Sequence, residues 1–418
     1  MILKIAVFCL FGGLTAAVAH NKATSAYEVP PKIEVATLLP AELLLGPHHR
    51  VRAIAQNDGY INHYLIDSDY GIFKCAGLVE LKVRVGEIAA IAKLVQVSKS
   101  DLFAEGLKRS IEKPIDAVKN IVDRPVESVK AAPKTVGHFF KKVGSSIGNT
   151  AKRVGEKIDD AKEDDIGAGE AISQAGKGLG KGAKSVAGFD KAKLDTARQL
   201  GVDPYSDNVR LQEEIEKVTW AFFAGGMPLR VVGMVTGAGI VVTATNTIGL
   251  PDDIYDVTPS ELALRDRTAL VNMGADAEVI EMVINGQMLS VSMRHGMIVH
   301  LSKLPGDGRV EVLQVAAGLE KPRQAVFLER ALRSLEKRHL ASPYVNVKSF
   351  GRLPAGIRAD GIMEVVAPTD YVCWTEQIAN FANSEESKGK RRLLISGAMS
   401  RIAMEGFKAA GWEVFRLE

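Results

Sequence analysis

Between Pro114 and Lys157 the chain repeats every eleven residues. The units are PIDAVKNIVDR from Pro114, PVESVKAAPKT from Pro125, VGHFFKKVGSS from Val136 and IGNTAKRVGEK from Ile147, with a weaker fifth beginning at Ile158. One column holds Lys119, Lys130, Lys141 and Lys152. Eleven residues make almost three turns of an α-helix, so each column returns to nearly the same face. The result is a thin, Val-rich apolar stripe flanked by cations. Pro125 and Pro133 interrupt a helix, and Gly137, Gly144, Gly148 and Gly155 weaken it further. A long rigid rod is therefore excluded, and helix that forms only against a surface is the expectation.

Charge selects the kind of surface. From Glu112 to Lys157 ten cations face five carboxylates, and the acidic patch Asp159, Asp160, Glu163, Asp164 and Asp165 ends the run. Each Lys or Arg held near anionic lipid contributes about 1 kcal/mol. Lys119, Lys130, Lys141 and Lys152 are the expected headgroup contacts, with Phe139 and Phe140 entering the acyl boundary. The pattern is similar to the lysine-bearing eleven-residue repeats of lipid-surface proteins such as apolipoproteins and synucleins. Its Pro-punctuated units also resemble the spacer repeats upstream of secreted bacterial toxin domains. The expected partner is a membrane surface, anionic lipid or a protein. Nucleic acid is not expected, because basic and aromatic residues do not interleave.

The first nineteen residues read as a secretory signal: Lys4, an apolar core from Ile5 to Leu14, and the small-residue pattern Ala17-Val18-Ala19. Export to the periplasm or cell exterior follows as an expectation, with envelope association. Beyond the signal stand two cysteines, Cys75 and Cys373, which permit one disulfide or two buried thiols. A net charge of +3 over 418 residues carries little information, so its distribution matters more.

Hydrophobic periodicity divides the remainder into an α+β multidomain chain. Residues 20–45 read as an extended leader. Residues 46–110 form a small β-plus-helix domain: a hairpin of Tyr60–Ile66 and Tyr70–Cys75, a strand over Leu78–Val85, and one helix from Val85 to Lys113. The repeats occupy 111–165, and a Gly/Ala/Lys-rich linker 166–189. A helical domain over 190–340 contains the uncharged run 231–250, long enough to cross a bilayer but carrying four glycines and four threonines. Finally, residues 341–418 alternate strand (Gly361–Ala367), helix (Thr369–Asn383), strand (Arg391–Ser396), helix (Ala398–Ala410) and strand (Trp412–Leu417). That order predicts a small parallel βαβαβ sheet.

Signatures of chemistry fail one by one. Gly178 to Ser185 misses a phosphate-binding loop at Ala183 and lacks the preceding strand. His48, His49, His295 and His300 lack the helical pairing and helper carboxylate of a zinc hydrolase, so neither metal nor cofactor is expected. Gly-x-Ser-x-Gly is absent. Ligands of open α/β sheets bind beyond the carboxyl ends of the strands, which makes Thr369, Asp370, Ser396 and Ser400 a candidate anion or ligand site, although these types also cap helices. The expectation is a non-enzymatic, exported protein that binds a surface through its repeats. The alternative is a secreted enzyme or effector whose active part is the C-terminal α/β unit.

Overall fold

A computed structural model describes residues 27–112, 181–231, 249–384 and 389–417. The signal segment, the repeats with Lys119, Lys130, Phe139, Phe140, Lys141 and Lys152, and residues 232–248 of the uncharged run lie outside the described residues. Those described form twelve α-helices and three sheets, an α+β architecture. No helix among them is long and apolar enough to cross a membrane.

The first sheet has six strands: β1 (Lys32–Glu34), β2 (Leu45–Gly46), β3 (His49–Val51), β4 (Ile54–Asn57), β5 (Asn62–Ser68) and β6 (Gly71–Ala76). The hairpin β5–β6 follows from local chemistry. The Ser68 hydroxyl donates to the Gly71 carbonyl at 2.7 Å and accepts from the Tyr70 amide at 3.1 Å, while Gly71 takes a φ of 126°. Alternation along β5 buries Asn62, Tyr64 and Ile66 on one side. Its other edge is long enough to pair with both β4 and β3. From residue 27 on, the leader is folded into the sheet and its core. β1 pairs antiparallel with β4, a helical turn α1 (Ala41–Leu44) follows, and Val35, Leu39 and Leu43 enter the core.

The strand expected over Leu78–Val85 is instead the start of helix α2 (Leu78–Val97). Gly77, at φ 90°, turns the chain out of β6. Leu81, Val85 and Ile88 then recur at helical spacing against Tyr64, Ile66 and Cys75. One helix to Lys113 was expected; two are found. The Ser100 hydroxyl accepts from the Phe103 amide at 3.2 Å and restarts the chain as α3 (Asp101–Glu112). The far side of α2 packs Ile91 and Leu94 against Leu211, Ile215 and Phe222 of α5 (Val209–Ala224), beside α4 (Lys181–Leu200).

Five more helices follow: α6 (Pro259–Asn272), α7 (Ala277–Asn285), α8 (Val291–Ser302), α9 (Arg309–Ala317) and α10 (Pro322–Ala341). Thr258, Asp276 and Ser290 cap α6, α7 and α8 through their side chains. Leu328, Leu332 and Leu335 of α10 lie in one core with Val347, Val366 and Leu394 of the C-terminal sheet.

That sheet is mixed and five-stranded, where three parallel strands were expected. β7 (Asn346–Phe350), β8 (Leu353–Ile357) and β9 (Met363–Ala367) form an antiparallel meander. Parallel to β9 come β11 (Arg391–Ile395) and, beyond it, β13 (Trp412–Arg416). The expected helices shorten at their starts to α11 (Glu376–Ala382) and α12 (Arg401–Ala409), because β10 (Tyr371–Val372) and β12 (Ala398–Met399) pair with each other first. Alternation sorts the strands: Met363, Val365, Leu393 and Ile395 meet Phe407 and Ala403 of α12, whereas Val366 and Leu394 meet α10.

Candidate functional site

Thr369, Asp370, Ser396 and Ser400 come together, in a junction between the two large sheets. Asp370 accepts from the Asn62 amide at 2.9 Å through Oδ2 and from the Leu78 amide at 3.2 Å through Oδ1. Its carboxylate therefore occupies the N-terminus of α2, where an anion is favoured. Burial pushes the Asp370 carboxyl up, and those two amides pull it back. The Ser396 hydroxyl donates to the Thr369 carbonyl at 2.8 Å. Ser400 caps α12 and donates to Glu28 Oε2 at 2.5 Å, and the Trp374 amide donates to the same oxygen at 2.6 Å. Carboxylates of the chain itself thus stand where the ends of β9 and β11 would receive a ligand. Thr369 is buried, and its hydroxyl has no partner among the described residues.

The junction continues along the β4–β5 turn. Asn57 donates to the Tyr371 carbonyl at 3.0 Å, and the Cys373 amide donates to the Gly59 carbonyl at 2.8 Å. Cys75 and Cys373 are both buried free thiols, pushed up by burial to about 12 and about 11 respectively.

The four candidate histidines each have an internal partner. His48 meets Asp69 at 2.8 Å, and His49 Nε2 meets the Leu43 carbonyl at 3.2 Å. His295 stands between Asp266 (2.6 Å) and Asp253 (3.1 Å), and His300 Nδ1 meets Glu336 at 2.5 Å. Among the described residues, no three side chains converge as a metal site.

Sequence reasoning missed a second cluster. Glu364 of β9 points toward α10 and is fully buried. Arg338 of α10 reaches it through Nε at 3.1 Å and Nη2 at 3.4 Å, Arg392 of β11 through Nη1 at 3.3 Å, and Arg358 at 3.5 Å. The Tyr344 hydroxyl donates to it at 3.0 Å. Burial alone would raise the Glu364 carboxyl, but the bonds from Arg338 and Tyr344, with the Arg338 charge, hold it below the usual range. Hydrogen bonding to Glu364 raises the Arg338 guanidinium in return. A carboxylate so surrounded remains an anion and makes a poor general base.

Asp360, 3.6 Å from Arg358, and Glu413, beside Arg392, offset two of the three guanidiniums, but Lys337 and Arg416 add cations where the cluster borders open space. A cleft of about 460 Å³ runs between α10 and the uncovered face of β11 and β13. Lys337 and Arg338 line it from α10, Arg392 and Leu394 from β11, and Phe415 from β13. Arg392 also bonds Glu413 through Nε at 2.9 Å and lies 5.2 Å from the Phe415 ring centroid. Arg338 and Arg392 remain 33% and 25% exposed, so both can turn to a ligand without leaving Glu364. The arrangement suits charge-assisted hydrogen bonding to a phosphate or carboxylate over an apolar floor.

Two signals in the sequence mark this cluster: a single acid within the apolar run Ile362–Ala367, and the pair Arg391-Arg392 opening the next strand. A lone carboxylate in a strand buried on both faces requires a partner, and neighbouring strands supply it. No family model matches this chain, and no curated protein or solved structure is significantly similar to it.

Proposed function

We propose that this is an exported, surface-associated binding protein whose C-terminal α/β unit takes an anionic ligand in the Glu364 cleft, while the basic repeats hold it to a membrane or partner surface. The observation that carries the reading is the cleft itself. Lys337, Arg338 and Arg392 converge on open space whose one buried carboxylate is already saturated by protein donors. Arg392 contributes Nε to Glu413 and Nη1 to Glu364, which leaves Nη2 for a ligand. The repeats contribute from sequence: ten cations against five carboxylates on a conditional helix.

Each half has its own test. Calorimetric titration of the full chain with pyrophosphate should give binding that weakens as salt rises and falls about tenfold in Arg392→Gln. Binding indifferent to both would refute the cleft. For the repeats, a 111–165 peptide should gain helix with anionic vesicles and not with neutral ones. Absence of that gain would remove the surface role.

A further inference from the structure

Strand β13 borders the cleft and is the edge of its sheet. The Leu417 amide donates to the Ile395 carbonyl at 2.7 Å, so residues of that parity point their backbone groups at β11. Trp412, Val414 and Arg416 therefore direct N–H and C=O groups outward, where no described strand pairs with them. Side chains alternate with the opposite consequence. Trp412 and Val414 pack toward α12, whereas Glu413 and Phe415 face the cleft side and are exposed, Phe415 by 45%.

We infer that this edge accepts an extended acidic segment of a partner protein, which adds a strand to β13 and lays carboxylates toward Arg392 and Arg338. The inference rests on the anion-binding reading of the cleft and names its ligand. Backbone pairing supplies affinity in strand addition, and pockets for alternate side chains supply specificity. Here one face of the added strand meets the cationic cleft across Phe415, and the other continues the apolar layer of Val414. The complementary segment alternates acidic and apolar residues. A nucleic acid fits less well: the Arg392 guanidinium already lies against the Phe415 ring and occupies the face on which a base would stack.

The test measures binding of three probes to the full chain: a labelled (Glu-Val) hexapeptide, pyrophosphate and a single-stranded oligonucleotide. Val414→Pro removes an outward N–H while sparing the ladder to β11, which edge strands tolerate. The peptide should bind wild type, weaken at least tenfold in both Arg392→Gln and Val414→Pro, and lose affinity when its alternate amides are N-methylated. Pyrophosphate should respond to Arg392→Gln alone. Peptide binding unaffected by Val414→Pro and by N-methylation overturns strand addition, as does an oligonucleotide that outcompetes the peptide. Pyrophosphate binding without peptide binding overturns strand addition and leaves the anion reading standing; failure of both probes removes both. If Val414→Pro does not fold, the N-methylated peptide on wild type decides.

Discussion

Replacing Glu364 with glutamine separates charge from shape in the C-terminal unit. The substitution keeps volume and one acceptor oxygen but removes the anion that three guanidiniums share. Removing one partner of a buried ion pair costs about 3–5 kcal/mol when the other is left buried. Arg358, Arg338 and Arg392 are a quarter to a third exposed, so water compensates part of the loss. The expected cost at pH 7 is about 2 kcal/mol. The sign with pH follows from the depressed carboxyl. Its stabilisation is present above the ordinary value of 4.5 and is lost as pH falls through the lower folded value. Wild type and Glu364→Gln should therefore differ by about 2 kcal/mol at pH 7 and converge as pH falls below 4.5 through the lower folded value. Urea unfolding would measure it in a Trp220→Phe background, where emission reports Trp374 and Trp412 at the C-terminal sheet. A difference below about 0.5 kcal/mol at pH 7, or one that persists undiminished in acid, would refute the cluster as an ionic unit.

Other substitutions test the junction and the helical core. Asp370→Ala leaves the Asn62 and Leu78 amides without their acceptor and should cost about 2 kcal/mol or more, whereas Asp370→Asn should cost less. Hydrogen exchange at those two amides would show it, and unchanged protection would count against the clamp. Gly397→Ala would place a Cβ 1.9 Å from the Asp370 carbonyl oxygen, so the junction must move; thermal unfolding should fall by several degrees, and a neutral result would contradict the close approach. Burial lowers the His295 imidazole, but Asp266 and Asp253, with Arg294 and Arg265 behind them, leave it raised above 6.5. Its stabilisation is complete below that value and is lost as pH rises through the folded one. His295→Gln should therefore lower the melting temperature more at pH 6 than at pH 9, and an NMR titration placing His295 at or below 6.5 would exclude the arrangement.

Local pattern carried much of the secondary structure. The Ser68–Gly71 turn, the caps at Thr258 and Ser400, and the strand–helix alternation after Gly361 are all written in neighbouring residues. The errors have local causes too. Leu78–Val85 is as apolar as a strand, and only its continuation to Val97 at helical spacing marks it as helix. The hairpin of Val347, Phe350 and Leu353 was missed although it turns on Gly351 at φ 56°, because alternation is short on each side.

The candidate site was less legible. Asp370 reads as a helix cap or anion ligand, yet it holds amides 308 and 292 residues away. Glu364 reads as one acid in an apolar strand, and its partners arrive from α10, the β8–β9 turn and β11.

Residues close in sequence set periodicity, turns, caps and the charge of the repeats, because those effects act within a few residues along one chain. Which carboxylate is clamped, which is shared and which edge stays open were decided only when distant elements packed. A charge is stabilised by what surrounds it in space, and for Asp370 and Glu364 most of those surroundings come from elements distant in sequence.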